Sequence, residues 1–223
     1  MTLKFSKHNS KLNKLAEYLG IPKTHVVSFD LPAGYTCPAA DICLSRANRK
    51  TGKITDGAHT QYRCYAASVE ARFPTVRKAH WHNRMALDRL STDQMVELIS
   101  ESLPARVEVV RIHSSGDFFS QEYFDAWVGV ARMNPDIIFF GYTKILPYVS
   151  ADIPDNMSLV YSHGGVMDNQ VTNEPVCYVV NTFTEAVELG VQVACEAHPA
   201  DDFDFIRKGL SFALEIHGTQ PAQ

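Results

Sequence analysis

With 223 residues, 45% hydrophobic and 21% charged, the sequence has enough apolar material for one ordinary globular core. A formal charge of −4 argues against a surface that is a phosphate clamp throughout. No run approaches the roughly 20 apolar residues of a membrane span, and the opening MTLKFSKHNSKLNKLAEYLG has neither an apolar h-region nor a cleavage site. These features predict a cytoplasmic protein with no membrane partner, whose five cysteines serve as thiols, metal ligands or redox groups rather than disulfides.

The expected organisation is a single α/β domain over 1–223, with a cysteine-rich loop at 32–70 and a disordered tail at 218–223. Leu12, Leu15, Ala16 and Leu19 recur at helical spacing and Gly20 and Pro22 stop the run, predicting a short first helix. His25 to Leu31 reads as a strand. Residues 33 to 63 show little periodicity and read as one long loop, a length that usually marks function or disorder. From Cys64 the pattern turns helical, breaks at Pro74 and resumes from Thr75 to Leu90, with His80, Trp81, Asn83 and Arg84 on the second run. Ser91 caps a helix reaching Leu103, and Val107 to Ile112 is a buried strand. Ser120 caps a helix from Gln121 to Met133, followed by a strand from Ile137 to Tyr142.

Shorter units follow: strands at Met157 to Ser162, Val176 to Asn181 and Val191 to Cys195, and helices at Thr184 to Gly190 and Asp201 to Leu214. Alternating helices and continuously apolar strands predict a mostly parallel sheet, either open or a partial (β/α) barrel, with chemistry at the C-terminal strand ends. Five strands deliver polar groups or thiols to that rim: PAGYTC, HSSGDFF, Thr143-Lys144, His163-Gly164-Gly165, and Cys195 with Glu196 and His198.

The cysteines carry the most specific chemistry. Cys37-x5-Cys43 followed twenty residues later by Cys64 lacks the close pairs of a zinc ribbon or ferredoxin. Three thiolates can still hold a cubane cluster with one open iron, or hold zinc with a fourth ligand from Cys195, Cys177 or His59. Cys177, inside the apolar run VCYVVN, reads as a packing residue. At HSSGDFF, Gly116 allows close approach to a ligand and Asp117 can accept from an ammonium or a ribose hydroxyl, with Ser114 beside them. Lys144 can meet a carboxylate or phosphate, and Gly164-Gly165 can admit an adenine or phosphate edge. Adjacent helical positions point about 100° apart, so His80 and His82, two positions apart, cannot both ligate one metal from a regular helix and read as surface or packing residues. Serine-hydrolase, P-loop, zincin and dinucleotide motifs are absent.

The order PAGYTCPAADIC, YRCYAASVEARFPTVR, WHNR, VRIHSSGDFFSQEYFDAW, FFGYTK resembles the bacteriophage family known as gene product eighty-eight, over roughly residues 5 to 165. The C-Y-A element and the strand-end G-D loop also resemble, distantly, radical S-adenosylmethionine enzymes. That resemblance implies a radical-SAM-like partial barrel with a 4Fe–4S cluster on Cys37, Cys43 and Cys64 and Tyr65 as the neighbouring aromatic. It also implies a Gly/Glu-type loop at Gly116 and Asp117 for the methionyl amino group. The spacing here departs from the usual C-x3-C-x2-C. Three functions follow as expectations. One is an iron–sulfur enzyme cleaving S-adenosylmethionine bound at Gly116, Asp117 and Lys144, acting on a nucleotide or peptide. A second is a non-catalytic module with a structural iron–sulfur or zinc centre, whose basic residues touch nucleic acid. The third uses an open iron as a Lewis acid without S-adenosylmethionine.

Overall fold

The computed structural model describes residues 2–7, 9–194, 202–216 and 220. Its first elements are a two-residue strand β1 (Phe5–Ser6), helix α1 (Ser10–Leu19) and strand β2 (Val26–Phe29). Asn9 caps α1 by accepting from the Leu12 amide at 2.8 Å, and Gly20 ends the helix at φ 69°. A hairpin of β3 (Ser45–Ala47) and β4 (Ile54–Asp56) then precedes helices α2 (Tyr65–Arg72), α3 (Pro74–Ala86) and α4 (Thr92–Ser102). Phe73 is at once the C-cap of α2 and the N-cap of α3, with Pro74 at the first helical position, where its missing N–H costs nothing. Ser91 and Gln94 close a capping box on α4.

The second half alternates strands and helices: β5 (Val109–Ile112), α5 (Gln121–Met133), β6 (Ile138–Thr143), α6 (Leu146–Val149), β7 (Met157–Ser162), β8 (Val176–Val180), α7 (Phe183–Glu188), β9 (Gln192–Val193), α8 (Phe203–Arg207) and β10 (Phe212–Glu215). Eight strands form one sheet in the order β1-β2-β5-β6-β7-β8-β10-β9. β1 is antiparallel to β2, and the remaining pairings are parallel. The fold is therefore a mixed α/β arrangement around a mostly parallel sheet, and the sheet does not close on itself.

Each face of the sheet buries its own apolar cluster. On one face α4 and α5 place Met95, Ile99, Tyr123 and Trp127 against Val27, Phe29, Val110 and Phe139. On the other, α1 and α8 place Leu12, Leu15, Phe203 and Ile206 against Val26, Val109, Phe140, Val160 and Cys177. The two sets alternate along β2, β5, β6 and β7, the period-2 pattern of a sheet covered on both sides.

Three expectations change. The stretch 33–63 is not one loop, because the β3–β4 hairpin interrupts it, with register Ser45↔Asp56 and Ala47↔Ile54. Three residues per strand are too few for alternation to show in sequence. The run Asp201 to Leu214 is not one helix: Gly209 (φ 63°) follows α8, and Phe212–Glu215 is drawn into the sheet between β8 and β9. β1, which the sequence reading did not mark as a strand, pairs Phe5 with Phe29. Of the expected tail at 218–223 only Gln220 is described, its side chain accepting from the Arg63 amide at 2.8 Å.

Candidate thiol centre at the strand-end rim

The C-terminal ends of β2, β5, β6 and β7 meet in a network of buried polar groups. Asp30, one residue beyond β2, accepts from the Ser114 and Ser115 amides (2.7 and 3.2 Å) and from Ser28 Oγ at 2.8 Å. Its carboxylate thus ties the end of β2 to the loop after β5. Ser114 lends that backbone amide and is itself exposed.

Asp117 is buried and accepts from the Phe118 amide (2.7 Å) and the Lys144 amide (2.9 Å). Burial raises its carboxyl to about 6 against the lowering pull of those bonds. Lys144 is also buried, and its ammonium donates to Ser162 O (2.9 Å), Ser162 Oγ (3.1 Å) and His163 O (2.6 Å). It joins the loop after β6 to the loop after β7.

The segment from Cys37 to Cys64 closes over this rim. Asp41 and Ile42 donate their amides to Gly164 O at 3.2 Å each, and Val166 donates to Ala39 O at 3.0 Å. The glycines on the rim make this approach possible. At Gly164 (φ 98°) a Cβ would lie 2.7 Å from Ile42, and at Gly165 one would lie 2.8 Å from Ala39 O. The amides of Gly164 and Gly165 point to the Asp168 carboxylate at 3.0–3.1 Å, so these donors serve the chain's own turn rather than a phosphate. Gly116 (φ 89°) is equally occupied, with Thr36 Oγ1 2.6 Å and the Leu31 Cβ 2.7 Å from an added Cβ. At Gly116 and at Gly164-Gly165 the close neighbours are therefore residues of this chain.

Cys37, Cys43 and Cys64 lie in this covering segment, each partly buried, and Cys43 and Cys64 are near enough to act on Cys37 electrostatically. Cys37 Sγ accepts from the Gly34 amide at 3.3 Å. Burial first, then the charges of Asp117 and Cys64, and more weakly Cys43, push its thiol well above the usual cysteine range. Cys64 occupies the N-cap position of α2, where the Ala66 and Ala67 amides face its sulfur. Burial and the neighbouring Cys43 nonetheless push it up to about 11. Cys37 and Cys64, both raised by burial and by neighbouring thiols, stay protonated unless a cation shares the site. Tyr62, raised by burial and by Cys43, Cys64 and Cys177, stands among them.

The other named residues fall outside this group. Tyr65 follows Cys64 but is 57% exposed. Cys177 is buried in the apolar cluster under α1 and α8. His59 is exposed and paired with Asp41 at 2.9 Å. Cys195, with Glu196 and His198, lies outside the described residues. Among the described residues no set of three or more His, Cys, Asp or Glu side chains stands in metal-ligating geometry.

One central residue escaped the sequence reading. Glu70 is fully buried, and its Oε1 accepts from the Ala33 amide (2.8 Å) and Ser115 Oγ (3.0 Å) and meets His80 Nδ1 at 2.8 Å. It therefore joins the start of the cysteine segment, the loop after β5 and helix α3. Its Oε2 is buried with no hydrogen-bond partner among the described residues. The signal was available: Ala66, Ala67 and Glu70 share the buried face of α2, and a carboxylate among alanines on such a face needs partners. His80 accordingly serves packing of a polar kind, as Glu70's partner.

A family model described as gene product 88 matches residues 3–213. The chain belongs to that family. Among curated relatives, the Gene 88 protein of Mycobacterium phage D29 is 28% identical over 209 residues, covering 83% of this chain and 80% of the relative. The Gene 88 protein of Mycobacterium phage L5 is 30% identical over 149 residues, and the match covers 60% of this chain and 56% of that protein's length. No solved structure matches the chain. No helix among the described residues is long and apolar enough to cross a membrane.

Proposed function

We propose that this gene product 88 protein holds a thiophilic metal centre, an iron–sulfur cluster of the 4Fe–4S type, on Cys37, Cys43 and Cys64. The supporting observation is a set of three neighbouring thiols, two of them pushed up in pKa by burial and by nearby thiols, where α2 directs two amides toward Cys64. Such a set is costly as thiolates and inert as thiols, and a bound cation resolves both. When bound, a cluster on three thiolates supplies an open iron as Lewis acid or electron donor. The chain's own part is to close the 37–64 segment over the centre through Gly164 and Ala39 and to keep Asp117 beside Cys37.

The neighbour-after-neighbour addition of strands from β2 to β8 supports a partial-barrel reading of the sheet, with the centre at the rim where such folds work. The filled space beside Gly116 and Gly164, and the three acceptors on Lys144, favour a centre acting without S-adenosylmethionine at those residues.

The test is anaerobic purification with iron, zinc and acid-labile sulfide analysis. Iron and sulfide in stoichiometric amounts are expected, lost in Cys37→Ala, Cys43→Ala and Cys64→Ala and retained in Cys177→Ala. One zinc per chain without sulfide replaces the cluster by a zinc–thiolate site. A metal-free protein, or full retention in Cys64→Ala, overturns the proposal.

A further inference from the structure

On the outer side of the cysteine segment lies a groove of about 720 Å³ whose lining contains no acidic residue. One wall is the β3–β4 turn, which supplies Arg49 and Lys50, and the other is the face of α3 carrying Arg77, Lys78, Trp81 and His82. The groove is built rather than incidental. Arg77 is buried and donates to the carbonyls of Arg49 (3.2 Å) and Glu70, fixing the turn against both helices. Gly52 (φ 74°) lets the turn approach, since a Cβ there would sit 2.7 Å from the Arg77 guanidinium. Asn48 Oδ1 accepts from the Lys50 and Thr51 amides at 2.9 and 3.0 Å, which sets the direction of the tip.

Charge and aromatic surface are combined along this face. The Arg49 guanidinium lies 5.1 Å over the Trp81 ring, Trp81 meets Tyr35 edge-on at 5.0 Å, and Arg46 lies 5.5 Å over Tyr35. Arg46, Arg49 and Tyr35 are exposed. None of Arg46, Arg49, Lys50, Lys53 or Lys78 makes an ion pair among the described residues. In the same stretch the carboxylates Asp56 and Glu70 are taken by Arg63 and His80. A chain of net charge −4 thus concentrates uncompensated cations on one patch with stacking planes between them.

We propose that this groove binds single-stranded nucleic acid, with phosphates on Arg49, Lys50 and Lys78 and bases stacked on the Arg46–Tyr35–Trp81–Arg49 ladder. Cations that track a backbone, interleaved with aromatic faces, are the pattern of sequence-tolerant single-strand binding. A duplex hides its base faces and leaves the ladder unused. The site is independent of the thiol centre, since its wall contains no cysteine.

The test is fluorescence anisotropy of a labelled dT12 oligonucleotide on the full chain, with a salt series and tryptophan emission read in parallel. Trp127 is fully buried, so quenching reports Trp81. The expected result is binding whose log K falls with log salt at a slope of about 2, from three phosphates at ~0.7 each, with Trp81 quenched. Arg49→Glu/Lys50→Glu, both at exposed positions, is expected to weaken binding at least tenfold while keeping the parent's circular dichroism and metal content. Trp81→Leu is expected to weaken it by about tenfold with the salt slope unchanged. No binding at low salt, parental affinity in the charge-reversed variant, or duplex of the same sequence bound as tightly without quenching would each overturn the proposal.

Discussion

The α4–α5 side of the sheet and the cysteine segment hold together by different means. Under α5, Trp127, Tyr123, Phe118 and Phe139 are fully buried and packed ring against ring, with Phe29–Trp127 at 5.4 Å and Phe118–Phe124 at 5.2 Å. The cysteine segment buries few large apolar side chains: Ala33, Ala66 and Ala67 make up its cluster. It is fastened by backbone bonds to Gly164 and by the Glu70 carboxylate. Apolar burial is non-directional and tolerates adjustment, whereas a polar hub fails when one partner goes. The rigid scaffold is therefore on one side and the chemically specialised cover on the other.

Trp127→Ala should show the larger loss, about 3–5 kcal/mol of global stability, measured by denaturant unfolding. Unchanged stability would mean that the rings of this face are not its support. Glu70→Ala should cost about 2–4 kcal/mol, because it strands the Ala33 amide, Ser115 and His80 in the interior. Its loss should be local: amide exchange should accelerate at Asp41, Ile42, Gly57 and Gln61 while α5 stays protected. Uniform acceleration would erase the distinction between the two regions.

The pH response joins the two regions through neighbouring residues of one loop. His113 is turned toward Tyr123, Nε2 to OH at 2.9 Å, and burial lowers it to about 3. Between its ordinary value near 6.5 and about 3, the unfolded chain takes a proton that the folded chain refuses, so His113 lowers stability as pH falls. Asp117, raised to about 6, keeps a proton that the unfolded chain loses near 3.8, so it lowers stability as pH rises through that window. Between pH ~4 and ~6 the two nearly cancel. Asp117→Asn should expose the histidine contribution as an added slope of roughly 1.4 kcal/mol per pH unit, stability rising with pH. A variant with the parental slope would show that the pair is not balanced. Smallest of all, Arg84→Ala removes the guanidinium 4.4 Å from the Phe119 ring, at the seam between α3 and the loop after β5, and should cost about 0.5–1 kcal/mol.

The scaffold was largely legible in the sequence, and the cover was not. β7 spans Met157–Ser162 as read, and the Ser91 and Ser120 caps fall where expected, because continuous apolar runs and local capping signals need no tertiary partner. The β3–β4 hairpin and the Glu70 hub depend on what packs against them. Rim glycines read as openings for a ligand are filled by Thr36, Leu31, Ile42 and Ala39, since φ > 0 and a missing Cβ serve a neighbouring chain segment as readily as a small molecule. The thiols were found by residue type, and the structure adds that Cys43 and Cys64 act on Cys37 electrostatically, short of metal-ligating geometry among the described residues.

The strand order at the far edge has a consequence for synthesis. β9 is made before β10, yet among the described residues it joins the sheet only through β10, which also covers the free edge of β8. During vectorial elongation the β8 edge therefore waits, unpaired, for residues 212–215 to emerge, and β9 cannot dock until they do. A nascent chain halted before Phe212 would present an open parallel edge to chaperones or to other copies of itself, so completion of the sheet is a checkpoint set by its topology.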